Sequence, residues 1–202
     1  MNKLLKKPIK CGIMSKNRMG ELTMVEYQKK IKRVIISEEE IAAKIKEIGK
    51  EIDKIYDGRP ILLVSVLKGA FVFMADLCRA VSVPCEIGFM CAKSYYKGTV
   101  STGVINITMD LDQDVKDYHV VIVEDIVDTG RTLKDVAELL KSRNPLSLHI
   151  VTLLDKPDRR LVEVTPDWSL FTIPDFFVIG YGLDCAEYYR SLPYIAEYNT
   201  EA

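Results

Sequence analysis

Mostly apolar segments stand at Ile61 to Val66, Pro84 to Ala92, Val120 to Val123 and Leu148 to Leu154. All four predict strands, and the runs at Ile61 to Val66 and Val120 to Val123 predict strands covered on both faces of a parallel sheet. Between them the pattern changes period. Ile41, Ile45, Ile48, Ile52 and Ile55 recur every three or four residues and predict a helix with one apolar face, opened by Ser37 and Glu40 in a capping-box arrangement. Asp57 to Pro60 reads as the turn that ends it. Further helices are predicted from Ala70 to Ala80 and around Leu133, Val136, Ala137, Leu139 and Leu140, and shorter strands at Val34 to Ile36 and at Ile105, Ile107 and Met109. Strand and helix in alternation give the fold class: α/β, a central parallel sheet with helices on both faces.

The most informative stretch is His119 to Leu133, HVVIVEDIVDTGRTL. A buried strand runs into Glu124 and Asp125, then into Asp128, Thr129, Gly130, Arg131 and Thr132, where a helix starts. Backbone amides of Thr129 to Thr132, the freedom of Gly130 and the positive end of the helix dipole suit one phosphate group. The hydroxyls of Thr129 and Thr132 add donors. Glu124 and Asp125 suit the other end of such a ligand, as acceptors for ribose hydroxyls or as ligands for a hard cation such as Mg²⁺. Taken alone, the acid pair also fits a plain strand end before a capped helix. Lys68 and Gly69 follow the Ile61 to Val66 strand, where open α/β sheets bind ligands, although Lys-Gly by itself is commonly a turn. Lys93 to Gly103 loses all periodicity and reads as a mobile loop or a hairpin. Neither a Walker loop nor a GxGxxG dinucleotide loop is present.

Composition narrows the classes. The chain has 202 residues, 48% hydrophobic and 28% charged, enough for one domain with a sizeable core. A net charge of −1 gives no general reason to expect nucleic acid or membrane binding. No apolar run approaches the ~18 residues of a membrane span. The five cysteines form no CxxC pair and sit mostly in apolar runs, which predicts reduced thiols and a cytoplasmic location. Residues 1 to 23 form a basic tail expected to be mobile, carrying Lys3, Lys6, Lys7, Lys10, Lys16 and Arg18, and Met24 is a candidate alternative start. His119 and His149 lack metal-ligand spacing and receive no role.

The order ED, two apolar residues, DTGRT resembles the phosphoribosyl pyrophosphate (PRPP) signature of type I phosphoribosyltransferases. From about Val34 to Ile195 the chain is similar to hypoxanthine-guanine phosphoribosyltransferases: LKG at Leu67, Lys68 and Gly69, a lysine after the next strand (Lys156), FFVIGYG from Phe176, and Asp184 with Arg190 downstream. The resemblance implies a pyrophosphate loop at Leu67 to Gly69, whose Leu67–Lys68 peptide can be cis, assisted by Arg190 from an EYYRSL helix. It implies a lid bearing Ser94 and Tyr95, purine contacts from Lys156, Phe177 and Val178, and Mg²⁺ held by Glu124 and Asp125, with a second ion on Asp184. Asp128 inherits the role of proton acceptor near purine N7. Two departures are visible: Leu170 stands where the family often has Gly, and Trp168 where Tyr is more usual.

The implied activity is transfer of the 5-phosphoribosyl group from PRPP to N9 of hypoxanthine or guanine, giving IMP or GMP and pyrophosphate. Lys156 favours a 6-oxopurine over adenine. The implied layout is a core at about 60–165 with a hood from about 24–58 and 166–202, assembled as a homodimer or homotetramer. A xanthine- or uracil-specific transferase, or a PRPP-sensing regulator that binds nucleic acid, are the rival readings. The relative use of hypoxanthine and guanine is not legible.

Overall fold

In a computed structural model of the protein, which describes residues 24–93 and 106–200, the runs at Ile61 to Val66, Val120 to Val123 and Leu148 to Leu154 become central strands, whereas the run at Pro84 to Ala92 becomes a strand that leaves Ile87 and Phe89 exposed on one face. The elements are α1 (Met24–Lys29), β1 (Ile31–Ile36), α2 (Glu38–Tyr56), β2 (Ile61–Leu67), α3 (Phe71–Ala80), β3 (Cys85–Lys93), β4 (Asn106–Met109), β5 (His119–Val127), α4 (Arg131–Ser142), β6 (Ser147–Asp155), β7 (Trp168–Thr172), β8 (Val178–Ile179) and β9 (Ile195–Tyr198). The large sheet has the order β4-β3-β2-β5-β6-β7. Its strands are parallel except β4, which runs antiparallel to β3 at the edge.

Alternation along each central strand divides the core into two layers. Ile61 and Leu63 of β2 and Val121 and Val123 of β5 meet α2 and α3 through Ile41, Ile45, Phe73 and Leu77. Leu62, Val64, Val120 and Ile122 point the other way, against Leu133, Val136 and Leu140 of α4. The capping box forms as expected, with Glu40 N donating to Ser37 Oγ at 3.2 Å and Ser37 N donating to Glu40 Oε2 at 2.8 Å. His149 Nδ1 lies 2.8 Å from the Tyr56 hydroxyl and His119 Nδ1 2.8 Å from Ser147 Oγ, so both histidines pack at the strands' entry end.

A second, antiparallel sheet of order β1-β9-β8 joins the two ends of the chain. Lys32 and Arg33 fasten it by ion pairs to Glu197 at 2.7 and 2.9 Å. The boundary of this hood differs from the sequence division. Helix α2 packs on the large sheet and β7 is that sheet's edge strand, because the isoleucine face of α2 and the buried Trp168 and Leu170 all belong to the larger core. Leu170 therefore occupies a buried strand position, where a glycine would leave a gap.

Two further expectations are corrected. EYYRSL is not a helix: residues 186, 187 and 189 have φ of 53°, 71° and 73°. Backbone bonds to the Gly180–Leu183 turn replace helical ones there, with Tyr181 N donating to Leu192 O and Gly182 N to Arg190 O. Cys78, Cys85 and Cys91 are free thiols, but Cys185 is disulfide-bonded; an apolar run reports burial of a sulfur, not its proximity to another. Among the described residues no helix is long and apolar enough to cross a membrane. The basic tail lies outside the described residues.

Phe73 is fully buried between α3 and the sheet. Phe73→Ala should cost ~3–5 kcal/mol, read as a lower denaturant midpoint at unchanged slope. A loss below ~1 kcal/mol would contradict this packing.

Candidate active site

The carboxyl ends of β2, β5 and β6 converge with the turn after β8, and the predicted residues gather there. Strand β2 delivers Leu67, Lys68 and Gly69, and the Leu67–Lys68 peptide is cis. Gly69 is wedged against β5, since a Cβ built on it would fall 1.4 Å from Asp125 Oδ2. From the other side Gly182, at φ 100°, would put a Cβ 2.0 Å from the Gly69 carbonyl oxygen. Three distant segments thus touch where only glycine fits.

Adjacent positions of a strand face opposite ways, so β5 sends Asp125 towards Gly69 and Glu124 towards the α4 side. Both residues are half-buried at the floor of the site. Burial is the main cause that raises the pKa of each: Glu124 rises well above its ordinary range, helped by the Asp125 charge, and Asp125 rises to about 6. Ile126 N donates to Asp125 Oδ1 at 2.7 Å and Arg190 adds a favourable charge, while Asp184 opposes it. Glu124 Oε2 is buried with no hydrogen-bond donor. The unpartnered Glu124 oxygen beside a second carboxylate offers hard donors that suit a divalent cation. Yet among the described residues no three acidic, His or Cys side chains cluster as a metal site. Asp184 is already engaged by Arg190 Nη2 at 2.9 Å and by the Glu187 amide at 2.8 Å.

Beyond β5 the chain turns through Asp128, Thr129 and Gly130 into α4, whose first residues are Arg131 and Thr132. Gly130 precedes the helix at φ 81°, and a Cβ there would lie 2.6 Å from Val164. The loop is backed by the segment after β6. Lys156 N donates to Val127 O and Leu161 N to Thr129 O, both at 3.0 Å. Arg160 pairs with Asp155 and reaches the Asp128 carbonyl. The amide-rich turn and the positive end of the α4 dipole therefore sit on a braced scaffold.

Next to it lies a cleft of about 230 Å³ lined by Asp128, Lys156, Arg159, Phe177, Val178 and Asp184, among others. Lys156 is buried, and its Nζ donates to the Phe176 carbonyl at 2.5 Å. Burial lowers its pKa, against the pull of Asp128 and Asp175. The Phe177 ring packs edge-on to Tyr198 at 5.4 Å. Arg159, which sequence reasoning did not single out, spans the cleft wall between Asp128 Oδ1 and Asp175 Oδ1. The only signal for it was a basic pair just after a strand's carboxyl end.

Arg190 lines a second cavity of about 430 Å³ with Asp76, Tyr181 and Leu192. Its Nη2 nevertheless reaches the Lys68 side of the site through Glu187, whose Oε2 takes Lys68 Nζ at 3.0 Å and Arg190 Nη2 at 3.3 Å. Those two cations lower the pKa of Glu187. Nothing in the sequence distinguishes Glu187 from a solvated surface acid. Ser94 and Tyr95 lie outside the described residues.

Comparison with known proteins gives the following. Residues 34–186 match the family model described as a phosphoribosyl transferase domain. The chain is 49% identical over 165 residues to a hypoxanthine-guanine phosphoribosyltransferase of Streptococcus pneumoniae, covering 82% of this chain and 92% of that one. It is 51% identical over 166 residues to the hypoxanthine phosphoribosyltransferase of Escherichia coli, covering 81% and 93%. The crystal structure of a hypoxanthine phosphoribosyltransferase from Staphylococcus aureus superposes with a TM-score of 0.84 at 43% identity, covering 91% of this chain and 98% of that one.

The buried acids make stability depend on pH. A carboxyl whose pKa rises on folding favours the fold fully below its unfolded value, and this contribution is lost as pH climbs through the folded value, about 6 for Asp125. Without divalent cations, Asp125→Asn should therefore be more stable than wild type at pH 8 by roughly 1–3 kcal/mol, with the gap closing towards pH 4. A gap independent of pH, measured by chemical unfolding, would contradict this.

Proposed function

The chain belongs to the hypoxanthine-guanine phosphoribosyltransferase family, and on that premise we propose that it transfers the 5-phosphoribosyl group of PRPP to N9 of hypoxanthine or guanine, releasing pyrophosphate. The observation that carries the choice of base is the buried Lys156 ammonium on the wall of a cleft that also holds Phe177 and Asp128. An ammonium is donor-only, so it rewards an oxygen at purine C6 and is mismatched to an amino group. Phe177 offers a face or edge to the ring, and the backbone of Val178 lies beside it.

On the sugar side, the Asp128–Thr132 turn with the α4 dipole holds the 5′-phosphate, and Leu67 to Gly69 with Arg190 receives the pyrophosphoryl group. Glycosyl transfer of this kind passes through an oxocarbenium-like state, so charge placed on the leaving group lowers the barrier. Glu124 and Asp125 would hold Mg²⁺, supplemented by oxygens of the substrate, and the bound ion would neutralise developing charge on the pyrophosphate. The uncompensated carboxylates support that assignment. Asp184 would join only by releasing the Glu187 amide or Arg190.

Asp128 accepts the purine proton in this scheme. Its Oδ1 is buried without an aligned donor, and Arg159 is its ion-pair partner. We also propose a dimer or tetramer, with the exposed Ile87 and Phe89 of β3 and Met109 of β4 as apolar surface such an assembly would cover.

Asp128→Asn preserves the shape and removes the base. Its kcat with hypoxanthine should fall by about 10²- to 10⁴-fold while PRPP affinity stays within about threefold of wild type. An unchanged kcat would remove Asp128 from the proton-transfer role.

A further inference from the structure

We infer that Glu187 is an internal competitor for the pyrophosphoryl group of the substrate: its carboxylate holds Lys68 and Arg190 together and must leave before PRPP or pyrophosphate can bind them. The inference rests on the proposed role of those two cations. Both converge on a single oxygen, Glu187 Oε2, at 3.0 and 3.3 Å. That is how two cations share a phosphate oxygen.

Glu187 is not needed to position the arginine. Arg190 Nη1 donates to the Gly182 carbonyl at 2.8 Å and Nη2 pairs with Asp184 Oδ1 at 2.9 Å, so the guanidinium stays in place without Glu187. The backbone that carries Lys68 is located by the contacts of Gly69 with Asp125 and Gly182. What the structure holds deliberately is Glu187 itself. Its φ of 71° is unusual for a side chain of that size, and its amide is fastened to Asp184 Oδ2 at 2.8 Å. The carboxylate is thereby presented to the cations from a turn that helical geometry would not allow.

The strength of the competition follows from exposure. Lys68 and Glu187 side chains are each 66% exposed, so water and salt screen their pairing. Glu187 is therefore a weak brake, worth less than a tenfold change in affinity per ion pair. It lowers affinity for the incoming anion and, by the same cycle, helps expel the product pyrophosphate.

The test is calorimetric titration of magnesium pyrophosphate into the wild-type protein and into Glu187→Gln and Glu187→Ala. Both variants should bind about threefold to tenfold more tightly than wild type at low salt, with the difference shrinking at high ionic strength, and their KM for PRPP should fall by a similar factor. Equal or weaker binding by the variants, with wild type binding normally, would overturn the competitor role and leave the functional reading intact. Absence of pyrophosphate binding in all three would overturn the assignment of Lys68 and Arg190, and this inference with it. Turnover of wild type with PRPP and hypoxanthine reports the functional reading separately.

Discussion

The site depends on a close approach of backbone at Gly69. Strand β2 ends against Asp125 of β5 on one side and against Gly182 of the turn after β8 on the other, with no room at either contact for a side-chain carbon. Everything else is arranged around that junction. Asp125 is buried because Gly69 lies on it, Lys68 projects because the residue after it is pinned, and Arg190 reaches the same place because Gly182 accepts its hydrogen bond. Close packing of this sort deforms little, which suits the proposed task of holding a sugar, its 5-phosphate, a pyrophosphoryl group and a base in one geometry.

Charge is laid out in layers above the junction. The acids at the floor, Glu124 and Asp125, have their pKa raised by burial. The cations at the rim, Lys68 and Arg190, are satisfied by Glu187. Across the cleft, Arg159 stands between Asp128 and Asp175 while Lys156 leans on the Phe176 carbonyl. Lys68, Arg190, Asp128 and Lys156 thus have partners that a substrate can replace, while Glu124 Oε2 has none, and binding becomes largely an exchange of partners in which few charges are stripped of water unaided.

Much of this was legible from residue order. Fully apolar runs gave the parallel strands, and the period-four isoleucines with Ser37 and Glu40 gave α2, because those signals are local. The strand-loop-helix pattern at Val120 to Thr132 located the turn from β5 into α4, and Gly130 there has a positive φ. The rest depended on contacts between distant segments. EYYRSL has helical composition, but tertiary hydrogen bonds from the Gly180–Leu183 turn hold it in left-handed turns. Strand β7 was missed because Trp168, Leu170 and Ile173 become a buried edge only when β6 lies beside them. Arg159 and Glu187 look like ordinary surface charges, and only the fold brings each to two partners.

The central claim is that a buried ammonium, Lys156, selects a 6-oxopurine as acceptor for PRPP. The most direct measurement is pyrophosphate release from PRPP and Mg²⁺ with hypoxanthine, guanine, xanthine, adenine and uracil supplied one at a time. Turnover with hypoxanthine or guanine and none with adenine or uracil is the expected result. Turnover confined to adenine or uracil, or none with any base despite PRPP binding, would contradict it.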